Sequence, residues 1–464
     1  MEKIEKEVDV VVIGAGITGL VTTFTLMQKG LKVLLLEKKD QVGGQLHTIY
    51  DEGFVFESGP NTGVVSNMEV VQLFKALEDE CTLEIARKES KVRLIWKKGA
   101  FHPLPAGHKA AIATPLFTWS DKIRILFEPF RCKGRDPLES IASLTRRRLG
   151  KSYLDYAVDP FISGIYAGDP EKLITRFAMP KLYRLDAEYG SFVRGAIKRR
   201  PILLAEKQQG ISKEVFSVKG GFASLVVALS AKVTSDNMRL SLGEQLQITP
   251  AGKEWLINLG TTNELIHAKH VISTVPAYAM PSLFPFLAAE QLAPIVSLRY
   301  APVIQVGVGM KDGKNVPQAF GGLIPGVEKE RVLGILFNSS CYAGRAPENG
   351  ASLSFFVGGM KHPELLDLRD DELKDLVVDS LHRMLGYPVG TEPDKLHVFR
   401  HKWAIPQYEA DSESRLEAIS HLQRTYPGLI LGGSIRDGIG LADRIKQAFC
   451  MAQEVADSSV SPMM

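Results

Sequence analysis

The sequence has little cysteine. Four residues, Cys81, Cys132, Cys341 and Cys450, stand far apart with no C-x-x-C pair, which argues against a disulfide framework or a zinc ribbon and makes a reducing compartment the default expectation. Long apolar runs are missing as well. No window approaches the ~18 continuous apolar residues of a membrane span, so any membrane contact is expected to be peripheral. The N-terminus, MEKIEKEVDVVVIG, is charged and runs straight into a strand without the apolar core of a secretory signal. Nor does either sign of charge dominate: 56 Lys+Arg face 53 Asp+Glu, a net +3. With 45% hydrophobic and 23% charged residues, the composition is too apolar for disorder, and 41 Gly and 25 Pro are too few for a collagen-like or low-complexity chain. The ten His are scattered, with no Ser/His/Asp or Cys/His constellation. What remains is an ordinary soluble composition and length. At ~100–200 residues per domain the chain predicts two to four compact units, enough to enclose a large ligand between them.

The near-neutral total hides a division. Residues 86–213 hold 26 Lys+Arg against 12 Asp+Glu, a net +14 that leaves −11 for the rest. Such a block can attract an anionic substrate, an anionic membrane surface or nucleic acid. Nucleic acid fits least, because only Arg146-Arg147-Arg148 and Lys198-Arg199-Arg200 are dense clusters. A solvated helix face explains either cluster taken alone.

The first chemical signal is a β-strand, turn, helix, strand unit. Val8 to Ile13 is β-branched, Gly14-Ala15-Gly16-Ile17-Thr18-Gly19 follows, Leu20 to Gln28 reads as a helix, and Leu31 to Leu36 as a second strand ending in Glu37. This is G-x-G-x-x-G in its required context. Gly14 permits the tight turn, Gly16 lets the backbone approach a pyrophosphate at the helix N-terminus, and Gly19 allows close helix–strand packing. Glu37 is placed to accept hydrogen bonds from an adenosine ribose, and an acid there disfavours a 2′-phosphate. Gly43-Gly44 and Phe56-Glu57-Ser58-Gly59-Pro60-Asn61 add further close backbone approaches. They suit a long cofactor, FAD better than NAD, although tight turns also account for the glycines.

Further along, Met68 to Leu77 reads as a helix, and 86–213 as a mostly helical insertion with amphipathic stretches at Leu138 to Leu149 and Tyr153 to Ile165. Breakers are expected at Pro129, Pro137, Pro160, Pro170 and Pro180. Strand signals return at 216–218, 256–259 and 271–275, and Val303 to Gly309, Val332 to Phe337 and Leu353 to Val357 form a β-rich region before a helix over Asp371 to Leu385. The end repeats the beginning: Leu429-Ile430-Leu431 as strand, Gly432-Gly433 as turn, and a helix from Leu441 into Ala452. Its N-terminus at Gly440-Leu441 either faces a flavin ring, where the dipole favours an anion, or belongs to a plain docking helix.

These motifs together closely resemble the FAD-dependent protoporphyrinogen and coproporphyrinogen oxidase family, within the flavin amine oxidase-like superfamily. The generic part is GAGITG with Glu37 and Gly43-Gly44. The specific part is FESGPN at 56–61, GAFHPLP at 99–105, DPFISGIYAGDP at 159–170, FSVKGGF at 216–222, ISTVPA at 272–277, AFGGLIP at 319–325, VGG at 357–359, IPQY at 405–408 and GGSIRDGIGLADRI at 432–445. IYAGDP, AFGGLIP and IPQY are the discriminating motifs.

The resemblance implies an α/β fold: a Rossmann-like FAD-binding domain from discontinuous segments (1–85, 214–290 and 400–464), a β-rich substrate domain (86–105 and 291–399) and a helical, basic insertion (106–213). It implies a porphyrinogen oxidised to a porphyrin by loss of six electrons, taken by FAD in three two-electron steps and passed to molecular oxygen to give hydrogen peroxide, with the cofactor doing the hard chemistry. Protoporphyrinogen IX is the leading substrate, coproporphyrinogen III the sibling alternative and a flavin amine oxidase the more distant one. A porphyrin carrier that keeps FAD structurally is the non-enzymatic alternative. Arg93 falls where the family pairs a cation with a substrate propionate, and Arg suits a carboxylate; taken alone it is a surface residue in the alternating KVRLIW. Phe320, Gly321, Leu323 and Phe356 match apolar positions that sandwich the tetrapyrrole, and Gly164 a small residue that lets it approach. Gly14, Ala15, Gly16, Ile17, Thr18, Gly19, Glu37, Lys38, Gly44, Gln45, Gly59, Pro60, Asn61, Thr62, Trp403, Gly438, Ile439, Gly440 and Leu441 match FAD contacts, with Leu246 in a loose register. Gln41 and Gln45 depart from the Arg or Lys often found beside the two glycines. No metal site and no catalytic side chain is expected. The apolar segment 110–118 fits a membrane-facing surface or a core. The expected setting is the cytoplasm, with peripheral membrane contact and a homodimer both compatible with the sequence.

Overall fold

The computed structural model describes residues 4–243, 246–260 and 264–460. β1 (Ile4–Ile13), α1 (Ile17–Gln28) and β2 (Val33–Leu36) open the chain. β1 is central because both its faces are apolar: Val10, Val11 and Val12 are wholly buried, as a parallel strand covered on both sides must be. It pairs in parallel with β2 on one side and with Glu264–Ser273 on the other. Met238–Arg239 extends the sheet beyond β2. On the far edge of Glu264–Ser273, the C-terminal half pairs in parallel with Leu429–Leu431, and the N-terminal half takes the antiparallel strands Glu254–Asn258 and Gln247–Ala251. All three thirds of the chain thus contribute as the ends of β1, Glu264–Ser273 and Leu429–Leu431 come together at one edge, the position where open α/β sheets bind ligands.

The second seven-stranded sheet runs, in spatial order, Lys395–Pro406, Tyr300–Met310, Ala351–Gly358, Val332–Phe337, Gly321–Leu323, Arg93–Lys97 and Ala100–Pro103. Its pairs are antiparallel except Gly321–Leu323 with Arg93–Lys97. Alternation gives it two unlike faces. Ile304, Val306, Val308, Phe355, Val357, Ile335 and Phe337 share one apolar cluster with Leu373, Val377 and Leu381 of the helix Asp370–Leu385. The opposite face turns toward the first unit. There, side chains at Gly307 and Gly309 would come within 2.9 Å of Phe56 and 3.0 Å of Phe54, from the hairpin Thr48–Asp51 and Phe54–Glu57. Two glycines spaced by two let that hairpin press against the sheet.

The α/β class with a β-rich second unit and a helical insertion is the architecture found. Several details differ from expectation. The boundary placed between 399 and 400 falls inside the strand Lys395–Pro406, which pairs with Tyr300–Met310 along most of its length. That strand and the helix Ser412–Thr425 escaped the sequence reading; the strand's Lys, His and Arg residues blunt the apolar alternation on which such a reading depends. Pro129 and Pro180 do not break helices but stand in first turns, where a missing N–H costs nothing, and Pro160 follows directly on the π-turn Leu154–Val158 inside a helical run. The expected stretch Tyr153–Ile165 is near-continuous from Lys151 to Tyr166 through one π-turn at Leu154–Val158.

Buried ions organise the insertion. Arg148 and Glu128 are fully buried, Arg148 Nη1 lies 3.4 Å from Glu128 and its Nε donates to Asp186 at 2.5 Å. Glu128 in turn accepts from the Ser191 hydroxyl at 2.6 Å and the Phe192 N–H at 3.0 Å, seating the helix Phe192–Gln208. Of segment 110–118, residues 110–113 are exposed while Leu116 and Phe117 are buried, Phe117 stacking on Tyr153 at 4.0 Å. Core burial thus accounts for the second half of the segment, while the first half is exposed. Among the described residues no helix is long and apolar enough to cross a membrane.

Candidate functional site

The turn after β1 has the geometry its glycines predict. Gly14 takes φ +96°, and a side chain at Gly19 would lie 1.8 Å from the Gly14 carbonyl, so α1 can reach the turn only with glycine there. No side chain caps α1 at Gly16, and a side chain there would meet nothing within 4 Å. The N-terminal end of α1 thus opens on a cradle suited to a pyrophosphate. Gly44 backs onto it: a side chain there would stand 3.0 Å from Gly16 Cα. Glu37 accepts the Ala15 N–H at 2.7 Å, linking the end of β2 to the turn, with Lys38 exposed beside it. These residues fit a dinucleotide.

Two elements close on this cradle that pattern reading treated separately. The Thr274 hydroxyl bonds the Ile13 carbonyl at 2.9 Å and the Gly14 carbonyl at 3.1 Å, which gives ISTVPA its structural purpose. Segment 241–243 runs back along Glu37–Lys39, with the N–H groups of Ser241, Leu242 and Gly243 donating to Lys39, Glu37 and Lys38 carbonyls. Leu246 lies just beyond. Its side chain is buried in the apolar cluster that holds Leu34, Leu36 and Ile257, so it faces the core and not the cradle.

On the other side, Gln45 meets Gly59, where a side chain would lie 2.2 Å from the Gln45 carbonyl. Gln45 also reaches the Trp403 carbonyl at 3.5 Å, and Trp403, half-exposed, packs on Tyr278 at 4.4 Å between ring centres. Pro60 and Thr62 flank Asn61, which is buried and tied to the second sheet. The Ser354 hydroxyl donates to Asn61 Oδ1 at 2.9 Å, and Gln305 Nε2 donates to the Glu57 carbonyl at 2.5 Å. Burial raises the Glu57 carboxyl above its usual range, against the Thr48 hydroxyl and the Phe222 N–H that donate to it. FSVKGGF is explained here: a side chain at Gly221 would stand 3.0 Å from the Glu57 carboxylate.

The expected substrate residues gather on the sheet face that looks toward Asn61. Ile95, Leu323, Gly334, Phe356 and Gln305 are successive register partners across five strands. One strand position away, Arg93, Gly321, Leu336 and Ser354 form the adjoining row. Gly334 lies between Leu323 and Phe356 in the first of these rows, and a side chain there would come within 3.4 Å of Leu323 Cδ2. Gly164, on Asp159–Tyr166, packs on Leu323, whose Cδ2 would lie 2.4 Å from any added Cβ. Arg93 is exposed, with its guanidinium 5.2 Å from the Phe320 ring centre. Among the described residues it makes no ion pair. Sequence reading missed Gly334, Gln305 and Ser354, because only strand register places them.

The C-terminal loop corrects one expectation. Gly438, Ile439 and Gly440 lead into Leu441–Val460, but the Gly440 N–H donates to Asp443 Oδ2 at 3.1 Å. A carboxylate therefore occupies part of the positive helix end. Tyr408 and Arg444, neither singled out from sequence, contact Gly438 from opposite sides.

With this geometry established, comparisons place the chain among known proteins. The family model described as flavin containing amine oxidoreductase matches residues 17–441. Protoporphyrinogen oxidase 2, chloroplastic/mitochondrial, of Arabidopsis thaliana is 27% identical, over 97% of this chain and 94% of that protein. Coproporphyrinogen III oxidase of Bacillus subtilis (strain 168) is 26% identical, over 94% and 96%. Among solved structures, cyclohexylamine oxidase from Brevibacterium oxydans IH-35A superposes with a TM-score of 0.71 at 16% identity, over 98% of this chain and 100% of that one.

Proposed function

The chain belongs to the family of flavin containing amine oxidoreductases and is an FAD-dependent oxidase, and we propose that it oxidises a porphyrinogen, protoporphyrinogen IX, with molecular oxygen as acceptor. Relatives named protoporphyrinogen and coproporphyrinogen III oxidases, each matched over almost its whole length, support the substrate class. The observation that carries the reading is the apolar row Leu323, Gly334 and Phe356, with Arg93 in the adjoining row and Asn61 bonded to Ser354 on the same face.

The balance of free charge favours the substrate with fewer carboxylates. Lys97 donates to the Leu116 carbonyl at 2.5 Å, Lys361 pairs with the buried Asp159, and Arg87 donates to the Ser339 carbonyl at 3.3 Å. Each is already committed, whereas Arg93 is available to a propionate. Among these described cations Arg93 alone is without such a partner, which supports the substrate with fewer propionates over coproporphyrinogen III.

Bound FAD supplies the hydride acceptor. The rest is placement by the protein. The open end of α1 holds the pyrophosphate, Glu37 the ribose, and Gly59–Thr62, Trp403 and Gly438–Leu441 the flavin half. Phe320, Gly321, Leu323, Phe356 and Gly164 hold the macrocycle by apolar contact, keep water from it, and orient it through Arg93.

A cytoplasmic setting with peripheral contact with anionic membrane is part of the proposal. Trp119, Leu126, Phe127, Phe130 and Ile197 of the basic insertion are each more than half exposed, a combination suited to an interface. Turnover of purified protoporphyrinogen IX and coproporphyrinogen III, read by porphyrin fluorescence with oxygen uptake, tests the reading. Preference for coproporphyrinogen III reverses the substrate assignment. Flavin bleaching by an amine without porphyrin formation replaces it with an amine oxidase.

A further inference from the structure

We infer that Tyr408 is a positioning residue for the cofactor: its hydroxyl, with the Arg444 guanidinium behind, fixes the peptide groups at Gly438 and ties them to the wall of the substrate site. The inference rests on the FAD placement proposed above, not on the identity of the substrate.

Tyr408 is 3% exposed. Its hydroxyl accepts the Gly438 N–H at 2.8 Å and donates to the Gly438 carbonyl at 3.3 Å, holding the two peptide groups on either side of the Gly438 Cα. Gly438 has φ +93°, and a side chain there would lie 2.5 Å from the Asp443 carboxylate, so the conformation admits no other residue without strain. Arg444 is 8% exposed. Its Nη2 donates to the Arg436 carbonyl at 2.6 Å and the Gly438 carbonyl at 3.0 Å, and its Nη1 to Gln447 Oε1 at 3.0 Å. These partners are carbonyl and amide oxygens, so a buried cation stands behind the loop without direct carboxylate neutralisation. Because Asp443 already occupies the helix end at Gly440, Arg444 takes over the electrostatic role first expected of the helix dipole.

Tyr408 also faces the other way. Its carbonyl accepts the Ile174 N–H at 2.9 Å, and its ring packs with Ile141, Ile162 and Leu173 of the insertion. The neighbouring Gln407, 1% exposed, donates to the Tyr166 carbonyl at 3.0 Å, at the end of the helix whose Gly164 touches Leu323. IPQY is thus a strap between cofactor loop and substrate wall. That contact explains why IPQY and IYAGDP occur in one sequence: each motif supplies the other's hydrogen-bond partners.

Tyr408→Phe keeps ring and packing and removes only the hydroxyl. In the FAD-loaded protein we expect full FAD occupancy, an FAD dissociation constant weakened roughly five- to tenfold, and a flavin midpoint potential more negative than wild type, because fixed donors no longer favour the anionic reduced form. Arg444→Gln should move the potential in the same direction. Tyr387→Phe is the comparison: it loses an equally buried hydroxyl bond, to the Asp312 carbonyl at 2.8 Å, outside this cluster, and should lower the unfolding temperature while leaving potential and FAD affinity at wild-type values. An unchanged potential in Tyr408→Phe, or an equal shift in Tyr387→Phe, overturns the inference. A folded Gly19→Val protein that retains FAD at the wild-type ratio overturns the cofactor placement instead.

Discussion

At the scale of single residues, the cofactor turn and the substrate edge differ in what a substitution costs. Gly19 has no tolerance: a Cβ would lie 1.8 Å from backbone oxygen, which cannot rotate away. Gly19→Ala should therefore purify with little or no FAD, measured as the ratio of flavin to protein absorbance. Arg93 is exposed and structurally idle, so Arg93→Ala should fold as wild type. Its effect should fall on substrate binding, raising KM for the porphyrinogen roughly tenfold or more, as expected of a charge-assisted hydrogen bond worth about 1.5–3 kcal/mol, with Arg93→Lys retaining part of the affinity. The difference in legibility has the same origin. Gly14, Gly16 and Gly19 act on one another within a single turn, and local spacing reveals them. Gly334 and Phe356 are neighbours only because two strands pair in one register.

At the scale of elements, the join between the strand Lys395–Pro406 and the FESGPN loop is pH-sensitive. His401 on that strand bonds the Ser58 carbonyl, and burial holds its pKa below the ordinary 6.5. Burial lowers His270 in the same way. Below that value the unfolded chain takes up protons that the folded state refuses, so this contribution to stability is intact above pH 6.5 and eroded as the pH falls through it. The unfolding temperature should drop between about pH 7 and pH 5.5, and less steeply in His401→Gln. Glu57 acts in the opposite sense at lower pH: its raised pKa makes folding less favourable as the pH climbs above the ordinary 4.5. Most elements were legible because their apolar periodicity matched helix or strand. Lys395–Pro406 was not, since its charged side chains find partners such as Asp51 and Glu52 across the domain join, an arrangement invisible to periodicity.

At the scale of the molecule, the +14 insertion and its exposed aromatic and aliphatic residues make a testable surface. Replacing Leu126, Phe127 and Phe130 with Glu should reduce co-sedimentation with anionic vesicles by tenfold or more, about 1.4 kcal/mol, and leave porphyrinogen turnover in solution intact. Raised salt should weaken wild-type binding to the same vesicles. The sequence by itself determined the α/β cofactor unit, the glycine cradle, the acid at the end of β2 and the charge division, because each is a matter of composition or of residues within a few turns of one another. Only the tertiary structure decided the rest: that Asp443 occupies the helix end while Arg444 lies buried behind Gly438, that Asn61 meets Ser354 across two domains, and that IPQY spans from flavin loop to substrate wall. Asn61 and Ser354, like Gln407 and Tyr166, stand more than two hundred positions apart, and the energy of all these contacts depends on burial and hydrogen-bond direction, which exist only once the chain has closed on itself.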